Sequence, residues 1–226
     1  MSAIKEWYER HVLAQLLERG MAGVDPLRGE LLRDARGRVL EIGFGTGTNL
    51  PFYPPGVEDL VAVEPAEGLA SVAKERLDRW RGERSGTRTE LIVQSGSRAL
   101  PVDAGSFDVV VITFVLCSVK RVPELLDEVR RALSPTGTLL VAEHVLSDAR
   151  LQARAQRAVA PLWRAAVGGC DPARPTRALL ERSGFDTTEI RDTRLELPWM
   201  VSSGIVGRAR LARGEPSSQN GTSTPT

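Results

Sequence analysis

Only two cysteines, Cys117 and Cys170, and two histidines, His11 and His144, occur in the 226 residues. None falls in a CxxC, HxxxH or HExxH spacing, so no zinc-finger or zinc-protease pattern is present and no metal site is expected. A disulfide scaffold is equally unexpected, because stapled domains carry more thiols over a shorter length. Long apolar runs are missing as well: none approaches the roughly 20 residues that span a bilayer. The N-terminal MSAIKEWYERHVLAQLL is broken by charges throughout and has no signal-peptide apolar centre. Nor is there an excess of one charge, since 30 Lys and Arg against 29 Asp and Glu leave a formal +1. Domains that neutralise phosphate backbones usually carry a clear basic excess, so nucleic acid is not expected as a partner. Together these absences predict a cytoplasmic protein with reduced thiols and no stable membrane insertion. They set no oligomeric state.

What is present is a normal globular composition, 42% hydrophobic and 26% charged, enough to build one full core. Residues 3–20 place Ile4, Trp7, Tyr8, His11, Val12, Leu16 and Leu17 near one helical face. A second short helix is expected from Leu27 to Asp34, so residues 1–36 read as an N-terminal helical cap. From Arg38 the texture changes. VLEIG, LVAVE (60–64), LIVQ (91–94), FDVVVITFVL (107–116) and TLLVAEHV (138–145) are short apolar strands, with helices expected at 66–81 and 123–133 and a turn at SPTG (134–137). Continuous apolar strands alternating with helices predict a parallel sheet covered on both faces, an α/β Rossmann-like domain over residues 37–212. A helix at 148–167, a break at GGCDPARP and a short helix at 176–183 come next. Extended stretches at 186–197 and 200–210 predict an antiparallel C-terminal edge hairpin. Residues 213–226 have no apolar anchor and are expected to be a disordered tail.

The most informative segment runs from Val39 to Asn49. It places Gly43, Gly45 and Gly47 in a turn between the first strand and the helix expected after it, where bare backbone admits a ligand. The dinucleotide pattern GxGxxG fails, because Thr48 stands where its third glycine should be, and no GK[ST] completes a P-loop. Glu41, two residues before the turn, would repel a pyrophosphate and attract a cation. Glu64 ends the next strand, where a carboxylate can accept both ribose hydroxyls. S-adenosylmethionine carries an ammonium and a sulfonium and no phosphate, so it is the expected cofactor in preference to NAD.

On these residues the chain resembles the class I S-adenosylmethionine-dependent methyltransferases over about residues 38–210. The resemblance implies that Glu41, Gly43, Gly45, Thr46, Gly47 and Asn49 hold the methionine end. It implies that Glu64 and Pro65 meet the ribose and that Gly96 and Ser97 pass the adenine. Thr113 and Phe114, at the end of the fourth strand, would line the methionine side. Further family elements are Ser106–Val111, Leu133–Leu140 and Gly184-Phe185. Two departures stand out: no acid lies near Gly96 to hold the adenine amine, and Phe44 replaces the usual small residue inside the turn. LCSVK (116–120), AEHV (142–145), the spacing from Trp163 to Gly169-Cys170 and NLPFYPPG (49–56) are also similar to the branch that includes vertebrate microsomal alkyl-thiol methyltransferases. Those proteins carry an apolar N-terminal anchor, and none is expected here.

Methyl transfer from a sulfonium is an in-line displacement, so the protein must chiefly align nucleophile, carbon and sulfur and exclude water. A thiolate needs little more, whereas a hydroxyl or ammonium needs a base. His144 ends the fifth strand, beyond which ligands of open α/β sheets sit. It reads either as that base or as a hydrogen-bonded histidine of the turn. Glu143 competes for the role, with a structural ion pair as its other reading. Cys117 lies near the expected methyl position, as a reacting side chain or as a small buried one. His11, with Tyr8 and Trp7, is a candidate for a lid over the cofactor, Tyr8 and His11 then meeting the substrate, and Trp163, Cys170 and Trp199 are candidates for substrate walls, with plain packing as the alternative for each. The expected activity is methyl transfer to a small molecule, a thiol by family likeness. N- or O-methylation of a phospholipid amine or a natural-product hydroxyl, and a non-catalytic cofactor-binding protein, are the alternatives.

Overall fold

Alternating burial along each central strand sets the architecture. On β1 (Gly37–Ile42), Val39 faces one core while Leu40 and Ile42 face another; on β4 (Phe107–Thr113), Val109 and Val111 oppose Val110 and Ile112 in the same way. Both faces are therefore covered, which is why these strands read as unbroken apolar runs. The computed structural model describes residues 3–84, 86–94 and 98–212.

Five strands run parallel: β1, β2 (Val57–Val63), β3 (Arg88–Ile92), β4 and β5 (Leu133–His144). With β6 (Phe185–Asp186), β7 (Ile190–Arg194) and β8 (Ser203–Leu211), the sheet order is β3-β2-β1-β4-β5-β8-β6, with β7 also paired to β8. Strand β8 is antiparallel to β5, β6 and β7, so the expected antiparallel edge is present. One face is covered by α5 (Val122–Ala132) through Leu125, Leu126 and Val129. The other is covered by α3 (Asp25–Leu32) and α4 (Glu67–Gly82) through Leu31, Leu32, Ala73 and Leu77. Helix α5 opens with Pro123 in its first turn, where the missing N–H costs nothing.

Two local expectations are corrected. Ser134 to Gly137 belongs to β5 rather than to a turn; the register steps from Phe107 opposite Leu133 to Val109 opposite Thr138. Gly137 permits this, since a Cβ there would come within 2.9 Å of the Phe107 carbonyl. The N-terminal helix forms as expected, through α1 (Ala3–Tyr8), a π-turn at Glu9–Leu13 and α2 (Ala14–Met21). Its apolar face is not buried, however: Ile4, Trp7, Tyr8 and Val12 are all exposed. What docks this segment is polar and close. Glu9 accepts the Gly68 N–H at 3.1 Å, and only a residue without a Cβ fits at Gly68, where a Cβ would come 2.4 Å from the Glu6 carbonyl oxygen.

The remaining helices are α6 (Arg150–Ala166), which carries Pro161 inside it, and α7 (Thr176–Arg182). Among the described residues no helix is long and apolar enough to cross a membrane. The tail expected to be disordered, 213–226, lies outside the described residues, as do Gly96 and Ser97.

Candidate active site

The glycine turn leaves β1 at its carboxyl end with three left-handed residues: Gly43, Gly45 and Gly47 have φ of +75°, +59° and +80°. At Gly43 a Cβ would lie 2.2 Å from Val115 Cγ2, so the turn packs against the loop after β4. Gly45 differs: no atom lies within 4 Å of where its Cβ would stand. Bare backbone there faces open space, the arrangement that lets a ligand approach.

Two neighbouring cavities meet at this turn, both lined by Gly43, Gly45, Phe114 and Val115 together with Leu17, Ser118 and Val167. An outer cleft of about 660 Å³ is bounded by Glu64, Pro65, Leu69 and, from the N-terminal segment, Glu9, Leu13 and Leu17. An inner chamber of about 140 Å³ is lined by Arg28, Glu41, Thr46, Thr113, Cys117, His144 and Cys170. Glu64 reaches into the turn, accepting the Gly45 N–H at 2.8 Å and the Ala66 N–H at 2.9 Å. Burial raises its pKa against those two donors.

Glu41 is 1% exposed and takes hydrogen bonds from Tyr53 Oη at 2.6 Å and Asn49 Nδ2 at 2.8 Å. Burial pushes its carboxyl up to about 7, opposed by those donors and by the nearby Arg28 guanidinium. Arg28 is itself buried and donates to Thr48 Oγ1 and Asn49 Oδ1. Its Nε has no hydrogen-bond partner, the Asp25 carboxylate standing 3.5 Å away. Burial lowers the Arg28 pKa, while Glu41 and Asp25 work the other way.

Glu143 shapes the opposite wall. Fully buried, it accepts the backbone N–H groups of Val115 and Leu116 at 2.7 Å each and of Cys117 at 3.2 Å. It makes no ion pair among the described residues; burial raises its pKa to about 7, against those three donors. The loop it holds contains Phe114, the only described non-glycine residue with positive φ, at 58°. Such a backbone is strained by about 1–3 kcal/mol and persists where the surroundings over-determine it. The Phe114 ring lies edge-on to the His144 imidazole, with centroids 5.5 Å apart.

Beyond Phe114, Cys117, His144 and Cys170 converge from three segments. The two sulfurs are hydrogen-bonded at 3.3 Å, and Cys170 Sγ lies 3.4 Å from His144 Nδ1. The Asp171 N–H donates to the Cys117 carbonyl at 2.9 Å and fastens the loops together. Hydrogen bonding to Cys117, and then to His144, holds Cys170 well below the usual thiol range, and the same contact with burial pushes Cys117 up. The Trp163 indole N–H faces Cys170 without closing a hydrogen bond.

Most of the residues expected at the site are thus brought together. Asn49 is an exception: it lines neither cavity, and its amide ties Glu41, Thr113 and Arg28 together instead. Gly47, Tyr8, His11, Trp163 and Trp199 also line neither cavity. His11 stacks on Trp7 and donates Nδ1–H to the Trp7 carbonyl at 2.9 Å, while Tyr8 and Trp199 are each 46% exposed. The cover over the cleft comes from Glu9, Leu13 and Leu17, of which only Leu17 belongs to the apolar face read from the sequence. Arg28 and the clamping role of Glu143 were not anticipated. A carboxylate inside the apolar run TLLVAEHV must be hydrogen-bonded, which was the available signal for Glu143; none marks Arg28.

Residues 40–141 match the family model described as a methyltransferase domain. The human thiol S-methyltransferase TMT1A is 34% identical over 178 residues, covering 76% of this chain and 69% of the relative. The rat thiol S-methyltransferase TMT1B is 32% identical over 213 residues, covering 89% and 85%. This chain belongs to the S-adenosylmethionine-dependent methyltransferases. In fold the methyltransferase is similar to a crystal structure of a putative methyltransferase from Bacillus halodurans, with a TM-score of 0.67, 15% identity, and coverage of 84% of this chain and all of the other.

The residues of the methyltransferase fit its cofactor. Exposed backbone at Gly45, a carboxylate aimed at the turn from Glu64, and opposite buried charges at Glu41 and Arg28 suit a nucleoside with a zwitterionic amino-acid end. When bound, S-adenosylmethionine supplies an electrophilic methyl group on a cationic sulfur.

Proposed function

We propose that the protein methylates the sulfur of a small thiol. The carrying observation is the inner chamber, which joins the glycine turn to a wall made of Cys117, His144 and Cys170. In this reading Glu64 and Pro65 hold the ribose side in the outer cleft. Glu41 would face the ammonium of the amino-acid end and Arg28 its carboxylate. Phe114, Val115 and Gly43, common to both cavities, would surround the reacting sulfonium. Gly47, Thr46 and Thr113 keep the turn and strand ends in place.

The chamber's small volume favours a compact acceptor. The acceptor thiolate forms a bond to the methyl carbon as the carbon–sulfonium bond breaks, the electron pair remaining on the departing sulfur. A soft nucleophile needs no strong base for this step. The likeness to thiol S-methyltransferases of human and rat supports the same choice. The test is a panel of alkyl and aryl thiols, amines and phenols incubated with protein and S-adenosylmethionine, with S-adenosylhomocysteine and methylated product measured by mass spectrometry. Methyl thioethers are expected; turnover confined to amines or phenols overturns the reading.

A further inference from the structure

We propose that Cys117, His144 and Cys170 form a three-ligand site for a divalent zinc ion whose fourth position opens on the inner chamber. For its substrate this rests on the thiol reading above; for the metal it stands alone.

Geometry comes first. The three ligand atoms lie within 4.8 Å of one another, with Sγ to Sγ at 3.3 Å and Cys170 Sγ to His144 Nδ1 at 3.4 Å. Zinc–sulfur bonds of about 2.3 Å at tetrahedral angles place two thiolates about 3.8 Å apart, so the sulfurs need to separate by roughly half an ångström to admit the ion. The side chains are 1%, 4% and 4% exposed, yet all three line the chamber. A ligand entering the chamber is therefore what reaches them.

The support around the ligands is also in place. Glu143 fixes the Cys117 backbone, the Asp171 N–H joins the Cys170 loop to the Cys117 carbonyl, and His144 ends β5. His144 Nε2 is buried with no hydrogen-bond partner, so the outer hydrogen bond that most zinc-bound histidines have is missing, and the ring is held instead by Phe114 and Cys170. Two soft sulfurs and one imidazole suit zinc and not magnesium or calcium. Three protein ligands with one open position is the pattern of catalytic zinc; four closed positions is that of structural zinc.

Charge dictates the chemistry. Zinc with two thiolates and a neutral imidazole is uncharged. An acceptor thiol that takes the fourth position gives its proton to solvent and arrives as a thiolate, leaving the assembly with one negative charge beside a cationic sulfonium. Its sulfur then bonds the methyl carbon as the carbon–sulfonium bond breaks. The neutral thioether that results is a poorer ligand than the thiolate and leaves. The scarcity of cysteine and histidine hid this site, because its ligands are separated in sequence and meet only through the ends of β4 and β5 and the loop after α6.

The experiment uses the full chain, kept reduced with a phosphine and stripped with a chelator, titrated with cobalt(II) and followed by absorption. A sulfur-to-cobalt charge-transfer band saturating at about one equivalent is expected, displaced by zinc and altered by ethanethiol. Cys117→Ser and Cys170→Ser should each abolish the band while S-adenosylhomocysteine still binds, which shows that the variants fold. No band in the wild-type chain overturns the proposal whatever the variants do; a band indifferent to ethanethiol overturns the open position. If metal binds as expected but no thiol is methylated, the metal site stands and the thiol reading falls. If chelated, metal-free protein methylates thiols at an undiminished rate, the thiol reading stands and the catalytic zinc falls.

Discussion

The Tyr53 hydroxyl donates to Glu41 Oε2 across 2.6 Å, and both side chains are at most 2% exposed. A charged-group hydrogen bond of this kind contributes about 1.5–3 kcal/mol. It favours the ionised carboxylate, whose pKa burial has pushed to about 7. Tyr53→Phe should therefore destabilise the fold by about 1–3 kcal/mol at pH 8, where Glu41 is charged, and clearly less at pH 6, where it is mostly protonated. Urea unfolding at the two pH values measures this. An equal loss at both would show that Tyr53 acts only through packing.

Glu143 makes a second pH-dependent prediction. The ordinary value for its carboxyl is 4.5, and the folded value is about 7. Between the two, the folded chain keeps a proton that the unfolded chain has lost. The contribution of this group to stability therefore falls as pH rises through that window, by up to about 1.4 kcal/mol per pH unit. Glu143→Gln removes the titration, so stability measured from pH 4.5 to 7 should decline less steeply in the variant. Glu41 titrates in the same window and keeps part of the slope. An unchanged slope would mean that Glu143 is not protonated there.

Much of the fold and site is legible in the sequence, for reasons specific to particular residues. Strand identity comes from runs such as FDVVVITFVL, because a strand buried on both faces must be apolar at every position. The turn is legible because Gly43 and Gly45 cannot be replaced by residues with side chains without loss of space or backbone freedom. The N-terminal segment departs from expectation because periodicity gives the apolar face of a helix but not whether anything covers it. Trp7 and Tyr8 are exposed, while Glu9 on the other side docks to Gly68. The Cys117–His144–Cys170 cluster is invisible in the sequence because its proximity is created by the sheet order and by no local spacing. Position alone, just after the turn, gives Asn49 to the ligand; its buried amide instead satisfies Glu41 and Thr113, whose bonds are made 8 and 64 residues away.

The two glycines of the turn should respond differently to alanine. At Gly43 the added Cβ would meet Val115 at 2.2 Å with φ at +75°, so steric overlap and backbone strain combine. Gly43→Ala is expected to lower both stability and S-adenosylhomocysteine affinity. At Gly45 the space is open, so the cost to the fold is the left-handed backbone alone, about 1–2 kcal/mol. The methyl group would, however, project into the cleft. Gly45→Ala should therefore lose affinity out of proportion to stability, read by calorimetry against urea unfolding. Parallel losses in the two variants would show that Gly45 does not face the ligand.

Glu64 gives the most selective test of the cofactor pose. In the free protein its two oxygens are occupied by the Gly45 and Ala66 N–H groups, so the side chain is already oriented toward the turn. A ribose hydroxyl donating to that carboxylate would make a charged hydrogen bond, and Glu64→Gln should weaken S-adenosylhomocysteine binding by about 10- to 100-fold. That loss alone does not separate contact from collapse of the turn. The analogue lacking the ribose 2′-hydroxyl does. If Glu64 holds this hydroxyl, the analogue binds the wild type weakly and the variant scarcely more weakly still, because the interaction has already been removed once. Two calorimetric affinities for each protein close the cycle, and a coupling of about 0.5–3 kcal/mol is expected. Additive losses would place the hydroxyl elsewhere and leave Glu64 as a support for the glycine backbone only.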